Sequence, residues 1–483
     1  MKKWTLHHPN PSSRMRYVVD VVWRGWLGVE VEWVEWVEGD SGHDSAHSQS
    51  RVVLCWGGET VVSWPCHSIV LDGMQAGSSC HVEWQCEQLH TDRFGPMCLA
   101  LPCAVDVGTE GRQVDVLGAL FYALTCWGEI GCTRDEHGRP LPATLPLALQ
   151  GHQPQFGEAI MPRGMQHRFP WAECFAMAWW EFWSKSVAQD HSPKTGEPQP
   201  GLIWNPTFDV DVAFKHRGRS AWKSTMLQGR DLAFGRWSLC RQRRQVLKGF
   251  KRDPYDTFDW IRQFHVAESL TWYVWCARRR RPHDVGLEAK GELLPALVEQ
   301  LVSHAGACHV HWHPGYCAMS DPAVFDEEAQ VAASIGLECS RVRAHYLRSE
   351  PKGWAALSMH SVVEDASLGW SRDVGFRAGV SRPFPAYDWI HDKVLSMTIR
   401  PLAVMDMGLM ECIRMSSGFD KVELPRMMDV VAAVGGHWVS CWHNTTVSED
   451  EAWKGWKSTY VHMAQELRRR VKCTLEHDRD GMA

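Results

Sequence analysis

The chain has 483 residues, 22% of them charged and 45% hydrophobic, so it can bury a large core and has the length of two or three domains. A net charge of −6 gives no electrostatic reason to expect nucleic acid as a partner. Seventeen scattered cysteines without a CxxC pair, no apolar run long enough to span a bilayer, and a start (Met1-Lys2-Lys3-Trp4) without an apolar signal core lead us to expect a cytoplasmic protein with reduced thiols and no membrane span.

The first elements read as mixed α/β. Tyr17 to Leu27 is an apolar run broken by Asp20, Arg24 and Gly25, and Val29 to Glu35 alternates like a strand with one wet face. Gly39 to Ser50 reads as a loop, and Val52 to Trp56 as a strand. Val114 to Trp127 and Trp171 to Trp183 read as buried helices. The 27 tryptophans are read first as core, because an indole buries much apolar area while keeping one N–H. Flat rings also suit the apolar faces of sugars. Residues 185–201 are polar and rich in Pro and Gly, the best boundary in the chain. The expected division is therefore an N-terminal mixed α/β domain over 1–190 and a second domain over 200–475.

Beyond the boundary, short apolar runs recur at 202–208, 271–276, 308–313, 342–347, 361–365, 400–405 and 437–443, with helix-like stretches between most of them. Asp321-Pro322 and Gly336 bracket a helix over 323–335, and Ser448 to Glu451 reads as a capping box for the last helix. Alternating short strands and helices imply a parallel sheet, open or closed. In such folds chemistry gathers at the C-terminal ends of strands.

Four runs end in polar groups. Asp209 and Asp211 sit two apart in Pro206-Thr-Phe-Asp-Val-Asp211, so on extended chain they face one side. One could bind a divalent metal while the other takes a proton from water; an Asp-rich loop with capping roles is the plainer alternative. His309, His311 and His313 alternate before Pro314-Gly315. The first two read as core residues, and His313, at the strand end, as a metal ligand. Glu364-Asp365 and Arg377 could pair across successive loops, for catalysis or as a structural salt bridge. His443, in Trp442-His443-Asn444 at the last strand's end, could act as a general acid.

The ordered blocks, together with Arg252 to Asp259, His313-Pro-Gly-Tyr316, Arg343 to Arg348, Asp365 to Trp370 and Gly375 to Gly379, resemble the polysaccharide deacetylases (carbohydrate esterase family 4, NodB homology). The likeness is to a bacterial branch that carries an N-terminal domain of unknown function. Arg16 to Asp20, Leu120 to Leu124 and Asp135 to Arg139 extend it into the first half. The resemblance implies a distorted (β/α) barrel of seven strands that hydrolyses an N- or O-acetyl group on a carbohydrate with a divalent metal, Zn2+ foremost. It further implies Asp209 as base, Asp211 and His313 as ligands, Arg343 orienting the base, Asp365 orienting the catalytic histidine and His443 as acid. Tyr316, Arg377 and Trp442 are the substrate contacts expected from the matching stretches.

The chain departs from the family at residue 317. The family's second motif has His there, and this chain has Cys317. A thiolate is a good zinc ligand, which would make the triad Asp211, His313 and Cys317. Alternatively Cys317 is a small buried residue, and Asp209, His311 or His345 completes the shell. Two rival readings stand beside deacetylation: a catalytically degenerate barrel acting as a carbohydrate-binding or assembly protein, and an amidohydrolase acting on a non-sugar amide. The Arg278–Arg281 run fits a phosphate-bearing substrate or a solvated loop.

Overall fold

Short apolar segments after residue 200 pair into one sheet, because each is too short and too apolar to stand alone. The computed structural model describes residues 3–35, 51–66, 83–91, 95–105, 112–146, 153–156, 159–160, 163–187, 201–289, 291–303 and 308–480. The 39–50 loop and most of the 185–201 boundary lie outside them. No helix among the described residues is long and apolar enough to cross a membrane.

The N-terminal half holds two small sheets. One has β1 (Trp4–His7), β2 (Val31–Val34), β3 (Arg51–Trp56) and β4 (Glu59–Pro65), in the order β2-β1-β3-β4. The other joins β5 (Glu83–Thr91), β6 (Gly95–Val105), β8 (Gln155–Phe156) and β9 (Ala159–Ile160), with β7 (Arg112–Val114) on β6. Helices α1 (Ser13–Val19), α2 (Val116–Leu124) and α3 (Trp171–Val187) accompany them. The run after Tyr17 continues α1 as a π-helix over Asp20–Trp26.

The large sheet has nine strands in the order β15-β16-β14-β13-β12-β11-β10-β18-β17. They are β10 (Ile203–Val210), β11 (Leu270–Trp275), β12 (Cys308–His313), β13 (Glu338–Val342), β14 (Glu364–Asp365), β15 (Phe384–Asp388), β16 (Lys393–Ile399), β17 (Val404–Met405) and β18 (His437–His443). All neighbours are parallel except β15 on β16. The expected parallel α/β sheet is present. It has nine strands rather than seven, and no ladder joins β15 to β17 among the described residues. The run at 342–347 contributes only Val342 to β13, while β15 and β16 fall where no strand was expected.

Connecting helices include α4 (Ala221–Ala233), α5 (Trp237–Leu247), α6 (Phe258–Phe264), α7 (Leu293–Val302), α8 (Pro322–Ser334), α9 (Trp354–Met359), α10 (Asp406–Met415), α11 (Phe419–Ala433) and α12 (Trp456–Asp480). Asp321 caps α8, accepting from the amides of Ala323 and Val324 at 3.0 and 3.4 Å. The supposed capping box at 448–451 opens only a 3-10 turn, Glu451–Trp453, ahead of α12. Tryptophans 272, 275, 312, 354, 438 and 442 are fully buried, so the core reading holds for them.

One buried cluster runs from Trp4 to Leu467, so the two halves share a core. Their junction explains the Gly375–Gly379 block. Gly375 has φ +110°, and a Cβ there would meet the Arg168 backbone at 2.3 Å; a Cβ on Gly379 would meet the Trp171 ring at 2.2 Å. Glycine is needed where two backbones approach this closely.

Candidate active site

The register of the parallel strands assembles the site. Asp209 pairs laterally with Tyr273 on β11 and with His443 on β18. Two of the expected catalytic groups are thus neighbours at adjacent C-terminal strand ends. His313 ends β12, paired with Trp275. His345 follows β13 on a loop whose amide at His345 donates to Pro314 O at 2.9 Å.

Asp211 is the centre. Its Oδ1 lies 3.1 Å from His313 Nε2, and its Oδ2 lies 3.4 Å from His345 Nε2 and 3.3 Å from His443 Nε2. Donor atoms of Asp211, His313 and His345 all fall within 4.8 Å of one another. Burial opposes ionisation of Asp211, but the His345 and His443 charges, with the His313 and His345 rings beside it, hold its carboxyl well below the ordinary range.

Each histidine is fixed through its other nitrogen. His345 Nδ1–H donates to Asp284 at 2.9 Å, His313 Nδ1 meets the Arg343 carbonyl, and His443 Nδ1–H donates to Asp406 at 2.9 Å. Carboxylates and carbonyls only accept, so these bonds place the proton on Nδ1 and leave Nε2 facing Asp211. Buried Asp406 also accepts the His443 amide at 3.0 Å and the Thr446 hydroxyl at 2.7 Å.

Asp209 is held on both oxygens. Arg343 Nη1 donates to Oδ1 at 2.9 Å, and the Cys441 thiol donates to Oδ2 at 3.1 Å. Arg343 also donates to Thr207 Oγ1 at 2.6 Å and to Ala366 O at 3.0 Å, so its position is over-determined. Asp209, Asp211, His313, His345 and His443 line one cavity of about 520 Å3. The N-terminal half contributes His137 and Arg139 to its wall, with Arg139 donating to Tyr346 O at 3.0 Å. His283, Tyr346 and Leu347 line the same cavity with φ of 70°, 63° and 53°. Strained backbone of this kind gathers at functional sites.

Other expected site residues lie elsewhere. Cys317 is not in the donor cluster; burial first, then the nearby Asp284 charge, raises its thiol. His345 stands where Cys317 was one alternative. Asp365 does not reach His443. It accepts from Ser349 Oγ at 2.6 Å and from the Ser367 amide at 2.9 Å, and Ser367 in turn accepts the Ala344 amide at 2.7 Å. Its carboxylate thereby supports the loop carrying Arg343 and His345, and Asp406 takes the orienting role at His443. Arg377 is buried in a bidentate pair with Glu129 at 2.6 and 2.8 Å, because the junction glycines bring the N-terminal half against it. Trp442 is fully buried, its ring 4.7 Å from Tyr460. Strand alternation turns it away from the face that carries His443. Tyr316 lies beside the cavity, its ring 4.4 Å from His283 with the Arg348 guanidinium 4.1 Å above it.

Asp406 and Asp284 were missed. Asp406 had a signal, since it directly follows the 400–405 run as Asp209 does its own. Asp284 had none, because its contact with His345 spans 61 residues. The Asp253 stretch also gains a role: its carboxylate accepts the amides of Lys215, His216 and Arg217 at 2.7, 2.8 and 3.1 Å, fixing the loop after Asp211. Arg281 of the arginine run pairs with Glu327 at 2.6 Å.

No protein-family model matches the chain, and no curated protein matches it. Solved structures align with the chain, two of them as follows. One is a candidate polysaccharide deacetylase involved in O-antigen biosynthesis from Bordetella bronchiseptica, 17% identical, covering 58% of this chain and 88% of its own, with TM-score 0.31. The other is a candidate polysaccharide deacetylase from Mycobacterium smegmatis, 13% identical, covering 56% and 84%, with TM-score 0.34. At these values the likeness carries no functional weight.

Proposed function

We propose that the chain is a divalent-metal-dependent hydrolase that removes an N- or O-acetyl group from a carbohydrate. The carrying observation is that Asp211, His313 and His345 converge within 4.8 Å, with Asp209 and His443 lining the same cavity. The reading takes residues 200–475 as a deacetylase-like barrel domain and 1–190 as a second domain.

The residues fit a metal. Asp211 Oδ1 is buried without a hydrogen-bond partner, although His313 Nε2 is 3.1 Å away. A buried, unpaired carboxylate oxygen is costly unless a cation or water occupies the gap. Two imidazoles and one carboxylate, each imidazole backed by a carboxylate or carbonyl, suit zinc. Bound there, the ion would supply Lewis acidity toward an acetyl carbonyl.

The chain's own groups then divide the proton work. Asp209 takes a proton from the attacking water, oriented by Arg343 and Cys441. His443, held protonated against Asp406, gives a proton from Nε2 to the leaving amine or alkoxide. With His345 available as a third donor, the departure at Cys317 does not by itself argue for a degenerate barrel. The test is acetate release from a panel of acetylated sugars, with and without added zinc or cobalt. Release dependent on metal is expected. Ammonia release or ring opening of cyclic amides, without acetate release, would instead favour the amidohydrolase.

A further inference from the structure

The hairpin of α4 and α5 carries its apolar side chains outward. Trp222, Phe234, Trp237 and Phe250 are 74%, 71%, 68% and 79% exposed, and they are four of the five strongly exposed aromatic residues among those described. Met226, Leu232 and Leu247 are exposed beside them. Isolated exposed apolar residues need no explanation, but seven on one hairpin do.

The same hairpin is strongly basic in an acidic protein. From Ala221 to Arg252 there are nine lysines and arginines against one acid, Asp231. Asp231 is buried and paired with Arg243 at 2.6 Å, with Arg230 and Arg236 at 3.6 and 3.7 Å, and Arg252 pairs with Asp256 and Asp259, so one buried acid within the hairpin faces nine cations. On α5 and its C-cap, Trp237, Arg241, Arg244 and Lys248 recur at three- and four-residue spacing and are exposed, while Arg243 and Val246 are buried. Arg241, Arg244, Lys248 and Lys251 make no ion pair among the described residues. Lys223 extends the patch toward the arginine run: burial first, then the Arg280 and Arg219 charges, lower its amine.

The hairpin is tied to the strand ends that carry the site. Asp253 ties the stem of the hairpin to the loop after Asp211. Asn444, next to His443, donates to Val212 O at 3.2 Å and Tyr255 O at 2.8 Å. The two strand ends that carry Asp211 and His443 therefore also hold the hairpin.

We infer that residues 221–252 dock the chain on an anionic phospholipid surface, the aromatic rings entering the interface and the basic residues meeting lipid phosphates. Aromatic residues interleaved with lysine and arginine are the composition of interfacial helices, and basic residues add attraction to anionic leaflets. Nucleic acid would explain the charge but not exposed Met226, Leu232 and Leu247. The inference is independent of the deacetylase reading.

The test is flotation of the full chain with vesicles of phosphatidylcholine alone, or of phosphatidylcholine and phosphatidylglycerol in equal parts. Binding to the anionic vesicles only is expected. Both the triple variant Trp222→Ser/Phe234→Ser/Trp237→Ser and the triple variant Arg241→Glu/Arg244→Glu/Lys248→Glu should weaken it, each on the order of tenfold or more. Unfolding midpoints equal to the parent's show that the variants are folded, and if the aromatic variant does not fold, the charge variant decides. Failure of the parent to float with anionic vesicles, retention of a single-stranded oligonucleotide without vesicle binding, or folded variants that float like the parent would overturn the inference.

Discussion

Asp406 holds His443 at two points, accepting its Nδ1–H at 2.9 Å and its backbone amide at 3.0 Å. Burial works against the charged ring, but Asp406 and then Asp211 outweigh it and raise His443 well above the usual histidine range. A histidine raised in this way keeps its proton until the pH climbs through the raised value. Asp406→Asn removes the main support, so the acid form should be lost at lower pH. We expect turnover to fall about a hundred- to ten-thousandfold, with the alkaline limb of the pH–rate profile shifted to lower pH. An unshifted limb would rule out the assignment.

On the proposed reading His345, not Cys317, completes the donor set. His345→Ala should abolish stoichiometric metal binding, while Cys317→Ser should leave metal content and turnover near the parent's. Elemental analysis of both purified variants decides between them. A metal-free Cys317→Ser protein would return the ligand role to the thiol.

We expect Arg377 to act on stability rather than on substrate. Its bidentate pair with Glu129 is buried on both sides, and removing one partner strands the other. Glu129→Ala and Arg377→Ala should each cost about 3–5 kcal/mol of unfolding free energy, read by denaturant titration. The KM of surviving Arg377→Ala protein should be unchanged; a selective rise in KM with stability intact would favour the substrate role.

Glu328 supports the loop that carries His313 by accepting the Gly315 amide at 2.8 Å. Burial, assisted by the nearby Asp284 charge, pushes its carboxyl up from 4.5 to about 7. The folded chain thus binds a proton that the unfolded chain has lost. The contribution is fully present below about 4.5 and is lost as the pH rises to about 7. Glu328→Gln should flatten stability over that window, as measured by unfolding at a series of pH values. An unchanged pH slope would show that Glu328 is not its source.

The sheet was readable because buried parallel strands leave apolar runs, and each of the seven runs overlaps a strand, the one at 342–347 by Val342 alone. Asp209, Asp211, His313 and His443 were readable for the same reason, since strand ends project chemistry outward. β15 and β16 were not. Their partners are each other and β14, and Pro385, Lys393 and Ser396 interrupt the apolar pattern. His345 was named only as a possible neighbour of the metal, because it sits on a left-handed turn after β13 rather than on a strand. Arg377 misled for a different reason. The charge of a guanidinium in a loop says nothing of which acid the other half of the chain will bring to it.

Titration of metal-depleted protein with zinc, reading acetate release from an acetylated sugar substrate, tests the central claim most directly. Acetate release should rise to a plateau at one zinc per chain, and should stay at background in Asp209→Ala although that variant still takes up zinc. Acetate release that is undiminished in the metal-depleted protein, or retained in Asp209→Ala, would contradict the assignment of this site as a metal-dependent deacetylase.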